Sequence, residues 1–493
     1  MVASKPGETA KAPQMQTKSF EKILIPLYLL VWLALTVSLG LSHEPFADEA
    51  QSFLIARDTG IAELLSTTAR TEGTPVLWHL WLKLLLFVGL PYSLLFLASV
   101  LPEFAAVVLF VCKAPFSAAV RYLFPLTYYV FYQYNVVARS YSLLFLGIVA
   151  AALAWKNRQF HPWRCLLALI FLGSVSAHAL VLSCSLAVLW LWEECAGRRA
   201  VSDNAFPAAG CRFRAEFAVF AVFAVFAVFS VWMLWPEPSN QYVRNFAVQP
   251  LFILRNVFRL LTTGIVVSAS PHPENLVVLY IGIMYFLAAC VCLALHFRRY
   301  FWAMLFPCIS FMCIVPFKPW HTGILIFAVL FVFWQNAEPQ KYSRCIKAGI
   351  AVFFAVQLVW SAAAFTRDRN GAYSAAPAVY AFMQEQNIAP QDMFLLTFNT
   401  VALHPYYNQA GYGAWNWRKD GYSRRITENE LLRRRAFVVN GEFYAAYREK
   451  LEKIRRRGGF QLKVFPSRHF FALQDKSEDE TFYVYYRRMN GRG

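Results

Sequence analysis

Charge is what this sequence has little of. Asp, Glu, Lys and Arg make up 15% of its 493 residues, against roughly 25% in ordinary soluble domains. So few charges cannot clothe several water-facing domains, and a 58% hydrophobic content does not fit a disordered or collagen-like chain. Acidic residues are the scarcer sign, 29 against 47 basic. Paired cysteines are missing too. The ten cysteines include no CxxC pair, and Cys290 and Cys292 stand too close for a zinc clip. They fall in spans or short connections, none of them in the polar tail, and read as small apolar residues. No cofactor is implied, and a divalent metal, though compatible with the chemistry below, is not indicated by any ligand set.

What the sequence does have is long apolar runs. They fall near 23–41, 93–112, 118–134, 140–155, 164–177, 179–192, 215–235, 276–296, 301–316, 321–335 and 346–362. At about 20 residues per crossing of a 30 Å hydrocarbon core, this predicts an α-helical polytopic membrane protein of about eleven transmembrane helices. The first run is read as a retained span, being long and lacking a small-residue cleavage site. Residues 217–230 repeat Phe-Ala-Val; a period of three spirals the phenylalanines around a helix, as suits a lipid-bathed span. Residues 76–90 carry Lys83 in mid-run and are expected to lie along the interface instead of crossing.

Basic residues such as Lys18, Lys22, Lys113, Arg298, Arg299 and Arg344 cluster on one set of connections. The positive-inside bias therefore places the amino terminus in the cytoplasm of an inner membrane and accounts for much of the +18 net charge without nucleic acid. The expected division is a cytoplasmic leader 1–22, a transmembrane domain 23–365 with an external connection 42–91, and a periplasmic tail 366–493. That tail alternates helix-like stretches (376–387, 427–434, 442–457) with strand-like ones (393–398, 436–439, 460–465, 469–473, 481–486), which predicts a small α/β domain. Its arginine runs 433–435 and 455–457 suit either solvent or a phosphorylated glycolipid. Its aromatic stretch 412–417 suits either the interface or a sugar.

Ionisable residues gather on the outer rim: Asp48, Glu49, Arg57, His79, Lys83, Arg139, His178, Arg244 and His321. The sharpest feature is His43-Glu44-Pro45-Phe46-Ala47-Asp48-Glu49-Ala50, just beyond the first span. Asp48 suits a helix cap as well as a catalytic base. On a helix Glu49 and Arg57 fall about 80° apart, whereas Asp48 and Arg57 would be on opposite sides.

Asp48-Glu49-Ala50-x6-Arg57 resembles the first-loop signature of the GT-C membrane glycosyltransferases, in the branch of protein O-mannosyltransferases, lipid A aminoarabinose transferase and bacterial core-sugar transferases. Three further stretches are similar in order and spacing: Gly73-Thr74-Pro75-Val76-Leu77-Trp78, Val137-Ala138-Arg139-Ser140-Tyr141 and Ser176-Ala177-His178. Thr74, Val76 and Gln51 depart from the family's pattern. The resemblance implies an inverting transferase that moves a sugar from a polyprenyl-phosphate donor in the bilayer to a glycan, glycolipid or protein acceptor. Asp48 would be the base, with Glu49 orienting the loop or pairing with Arg57. Arg139 and Lys83 lead the cations for the donor phosphate, followed by His79, His178, Arg244 and His321. A transporter or flippase for lipid-linked sugars is the alternative; it predicts inverted repeats, of which the sequence has no sign. The orientation is open to test. A single cysteine introduced into the tail should be labelled by an impermeant maleimide from outside intact cells, whereas labelling only after lysis would reverse the assignment.

Overall fold

The computed structural model describes residues 12–68, 74–200, 208–235, 250–263, 276–315, 318–338, 342–407, 427–467 and 480–488. Five helices among these are long and apolar enough to cross a membrane: Glu21–Gly40, Tyr92–Lys113, Ala177–Ala196, Phe217–Leu234 and Arg344–Asn370. A sixth span arises if Tyr280–His296 and Arg298–Ile314, bent by 116°, are one broken crossing. The chain is a helical membrane protein, but the count of eleven is not met among the described residues.

The reason is burial. Helices at Ser140–Trp155, Pro162–Gly173 and Thr322–Gln335 are too short to cross at 1.5 Å per residue. Much of their apolar surface faces protein: Phe145, Ile148, Ile324, Phe327 and Phe331 are fully buried. A helix that is apolar all round because its neighbours surround it looks, in sequence, like one surrounded by lipid. The expected span 118–134 is not one helix either. It breaks into Ala118–Leu123, a 3₁₀ turn at Phe124–Leu126 and a π turn at Tyr129–Gln133, with Pro125 unable to continue the hydrogen-bond ladder. Leu77–Phe87, a helix of 11 residues, is likewise no crossing.

The first span belongs to helix α1 (Ala12–Gly40), and a short connection leads into α2 (Ala47–Asp58). In the tail, β1 (Met393–Leu395), β2 (Ala436–Asn440), β3 (Gln461–Phe465) and β4 (Phe482–Tyr486) form one sheet in the order β1-β2-β4-β3. β1 runs parallel to β2, with Phe394 opposite Phe437; β4 is antiparallel to both neighbours, with Val438 opposite Val484. The expected strand 469–473 lies outside the described residues.

The sheet does not stand apart from the helices. Ala47, Ala50 and Leu54 recur on one face of α2 and pack with Val379, Met383, Leu395, Val438 and Val484 of the tail. Phe46, Phe53 and Ala56 pack instead with the helical bundle, beside Trp78 and Leu82. The helix is thus a shared wall, apolar on two faces for two different neighbours.

Both ends of α2 are tied by charges of the sign its dipole favours. At the start, the Ala47 amide donates to Glu480 of the tail at 2.7 Å, and Glu480 also accepts from the Ser374 hydroxyl. At the end, Lys83 Nζ donates to the Ala56 carbonyl at 2.8 Å and to that of Thr59. Glu480→Ala leaves two buried donors unsatisfied and should lower stability by about 1–3 kcal/mol. The thermal midpoint of the full chain in detergent micelles checks this; an unchanged midpoint would mean that the tail does not hold α2.

Candidate active site

The first turn of α2 settles which residues cap and which face outward. The Phe46 amide donates to Glu49 Oε2 at 3.0 Å, so Glu49, together with Glu480, takes up buried amides at the helix start. Asp48 is left to project sideways. Its Oδ2 lies 2.6 Å from Arg139 Nη1, and both side chains are one-quarter exposed.

Glu49 is fully buried. Its Oε1 accepts from the Ala138 amide at 2.6 Å, and its Oε2 also accepts from His43 Nε2 at 3.0 Å. The expected pairing with Arg57 is corrected: Arg57 turns to Asp58, 2.5 Å away, at the far end of α2. The two positions lie towards the same side of the helix but eight residues, about 12 Å, apart along its axis, and the Glu49 oxygens are met by His43, the Phe46 amide and the Ala138 amide instead.

His43 bridges two carboxylates, since its Nδ1 donates to Asp368 Oδ2 at 2.9 Å. Burial disfavours the charged ring, yet the facing Asp368 and Glu49 outweigh it and hold the His43 pKa well above 6.5. Beside it, burial pushes the Glu44 pKa above its ordinary value, against the pull of the Tyr373 amide, which donates to Glu44 at 2.7 Å.

The surroundings of Arg139 are aromatic and basic. The guanidinium carbon lies 5.5 Å from the Trp320 ring centre and 6.0 Å from that of Tyr141, and Lys318 Nζ lies 5.5 Å from Trp320. His321 stacks within 4.4 Å of His178, and 5.8 Å from Tyr141. His178 Nε2 is buried with no hydrogen-bond partner among the described residues. This wall is set by the close approach of Gly323 to Tyr129 and Tyr134, where a side chain would collide with both rings. Tyr134 donates to the Trp320 carbonyl and Tyr129 hydrogen-bonds Thr322, which fixes the turn before the helix.

Asp48, Arg139, His178 and His321 therefore come together, while the other expected residues divide. Lys83 caps α2, two turns from Asp48. His79, one turn before Lys83, is buried with neither ring nitrogen hydrogen-bonded among the described residues. Arg244 and the 412–417 stretch lie outside the described residues. The arginine runs are largely structural: Arg435 donates to the Asn387 carbonyl at 2.7 Å, Arg455 pairs with Glu452 at 2.7 Å and Arg457 with Glu428 at 2.9 Å.

Sequence reasoning did not assign roles to His43, Trp320, Asp368 or Glu480. His43 stood in view within the octapeptide before α2, but its partner Asp368 is 325 residues away. Among the described residues no group of three or more His, Cys, Asp and Glu is placed to hold a metal. The arrangement is a partly exposed acid–base pair beside a packed group of aromatic and basic side chains, mounted on a buried ionic bridge. No family model matches the chain, and no curated protein matches it.

The bridge has a signed pH dependence. Because the folded pKa of His43 is raised, its contribution to stability is complete below about 6.5 and is lost as pH rises through the folded value. The stability gap between wild type and His43→Gln, read from thermal midpoints, should be constant in mild acid and shrink on the alkaline side. A gap that widens with pH would contradict the charged bridge.

Proposed function

We propose that this chain is a membrane glycosyltransferase that moves a sugar from a polyprenyl-phosphate donor to an extracytoplasmic acceptor, with Asp48 as general base. The observation that carries the reading is the Asp48–Arg139 pair: a carboxylate and a guanidinium 2.6 Å apart, both partly open to solvent. Displacement at an anomeric carbon needs both. A base takes the proton of the acceptor hydroxyl or amine, and a cation meets the charge growing on the departing phosphate.

The geometry suggests an order of events. In the resting chain Arg139 is held by Asp48; an arriving phosphate is a second anionic partner for that guanidinium. As Arg139 turns to the phosphate, Asp48 is left facing the acceptor. Lys318, His178 and His321 line the side on which the phosphate would sit, and Trp320 and Tyr141 offer flat apolar faces to the sugar. A single displacement inverts the anomeric carbon. On this reading the Asp48 face of the bundle is periplasmic, and the tail, sharing a wall with α2, helps shape the acceptor side.

Asp48→Asn keeps the size of the side chain and removes its basicity. Purified variant in lipid nanodiscs should transfer labelled sugar about 10²–10⁴-fold more slowly than wild type, in the range of general-base contributions. Its thermal midpoint should stay close to wild type. A variant with full activity would remove Asp48 from the reaction.

A further inference from the structure

Far from Asp48, at the end of the bundle that the charge bias assigns to the cytoplasm, the described residues line a cavity of about 500 Å³. Ligand sites span about 300–1,000 Å³. Its walls come from the last turns of the Leu276–His296 and Thr322–Gln335 helices, the first turns of Arg344–Asn370, and the segment around Phe116. Phe116, Leu293, Val329, Ile350 and Phe353 are representative of the lining. The two phenols there are spent on protein: Tyr285 donates to the Gly349 carbonyl at 2.8 Å and Tyr342 to that of Asn336 at 2.6 Å. No carboxylate lines the cavity, and Lys347 is its one charged lining residue among those described. Exposed Arg344 and Arg298 directly precede or follow the lining residues Cys345 and Phe297.

The interior therefore favours hydrocarbon and the rim an anion, and one kind of molecule offers both in that arrangement. We propose that this cavity binds an anionic phospholipid of the cytoplasmic leaflet, one acyl chain between the helices and the headgroup phosphate at Lys347 and Arg344. Size argues against a partner's transmembrane helix. A helix is about 10–12 Å across with side chains, so this volume would hold about one turn of it. The proposal does not depend on the transferase reading.

Gly349 provides a clean test. It lines the cavity, and a Cβ added there would meet nothing within 4 Å. Gly349→Leu should fill the site without a clash while gaining helix propensity. The full chain, purified and stripped of lipid in zwitterionic detergent, would be titrated with dioleoyl phosphatidylglycerol or dioleoyl phosphatidylcholine and followed by native mass spectrometry. Wild type should retain one phosphatidylglycerol per chain and bind phosphatidylcholine at least tenfold more weakly. The exposed double change Lys347→Gln with Arg344→Gln should erase most of that preference, since two basic residues near an anionic headgroup contribute about fivefold each. Gly349→Leu should lose the adduct. Equal binding of the two lipids, an adduct that survives Gly349→Leu, or a second copy of the chain in place of lipid would overturn the proposal.

Discussion

One buried carboxylate sets the register of the site. Glu49 has no exposure to solvent, and such a group is costly to bury unless its oxygens are met by donors. Here three donors meet them: the His43 ring, the Phe46 amide and the Ala138 amide. His43 and Phe46 lie on the connection before α2, and Ala138 precedes Arg139 on a separate one; His43 also carries the bridge on to Asp368 at the end of the Arg344–Asn370 helix. Because Asp48 is the immediate neighbour of Glu49 and Arg139 that of Ala138, fixing Glu49 on the Ala138 amide fixes their separation. A change that left Glu49 without one donor would disturb the pair above it without touching either member.

The second constraint is the double allegiance of α2. A 12-residue helix is too short to be stable alone in water, so its position must come from its neighbours. Ala47, Ala50 and Leu54 give one face to the sheet of the tail, and Phe46, Phe53 and Ala56 give another to the bundle. Glu480 and Lys83 then fix its two ends. The residue proposed for proton transfer thus rides on an element jointly owned by the membrane-embedded bundle and the tail. That places the tail among the determinants of the site's shape rather than as an appendage.

How much of this could be read from the sequence follows from the range of the interactions. Asp48, Arg139, His178 and His321 were legible because each interrupts or borders an apolar run, where a polar residue needs a reason. The pairing of Glu49 with Arg57 was plausible on an isolated helical wheel and failed because the wheel omits the rise along the axis and knows nothing of Ala138 or His43. Lys83 drew attention as a cation in an apolar stretch; its actual role, closing the carbonyl end of α2, depends on how two helices cross. Asp368 and Glu480 were out of reach, as each acts on a partner more than 300 residues away. The span count failed for a physical reason as well. Apolar composition reports removal from water, and the Thr322–Gln335 and Leu144–Trp155 helices are removed from it by protein.

The bundle thus divides its labour along its length, with ionic and aromatic groups at the Asp48 end and a hydrocarbon-lined, basic-rimmed cavity at the other. On the proposed function, the Asp48 end breaks the bond between sugar and lipid phosphate. The most direct measurement is to give the purified wild-type chain, in sealed vesicles, a polyprenyl-phosphate sugar labelled in the sugar and to follow the label and the lipid separately. Label joined to an acceptor with inverted anomeric configuration, and free polyprenyl phosphate in equal amount, is the expected outcome. Intact donor moved from one leaflet to the other, with no polyprenyl phosphate released, would contradict it.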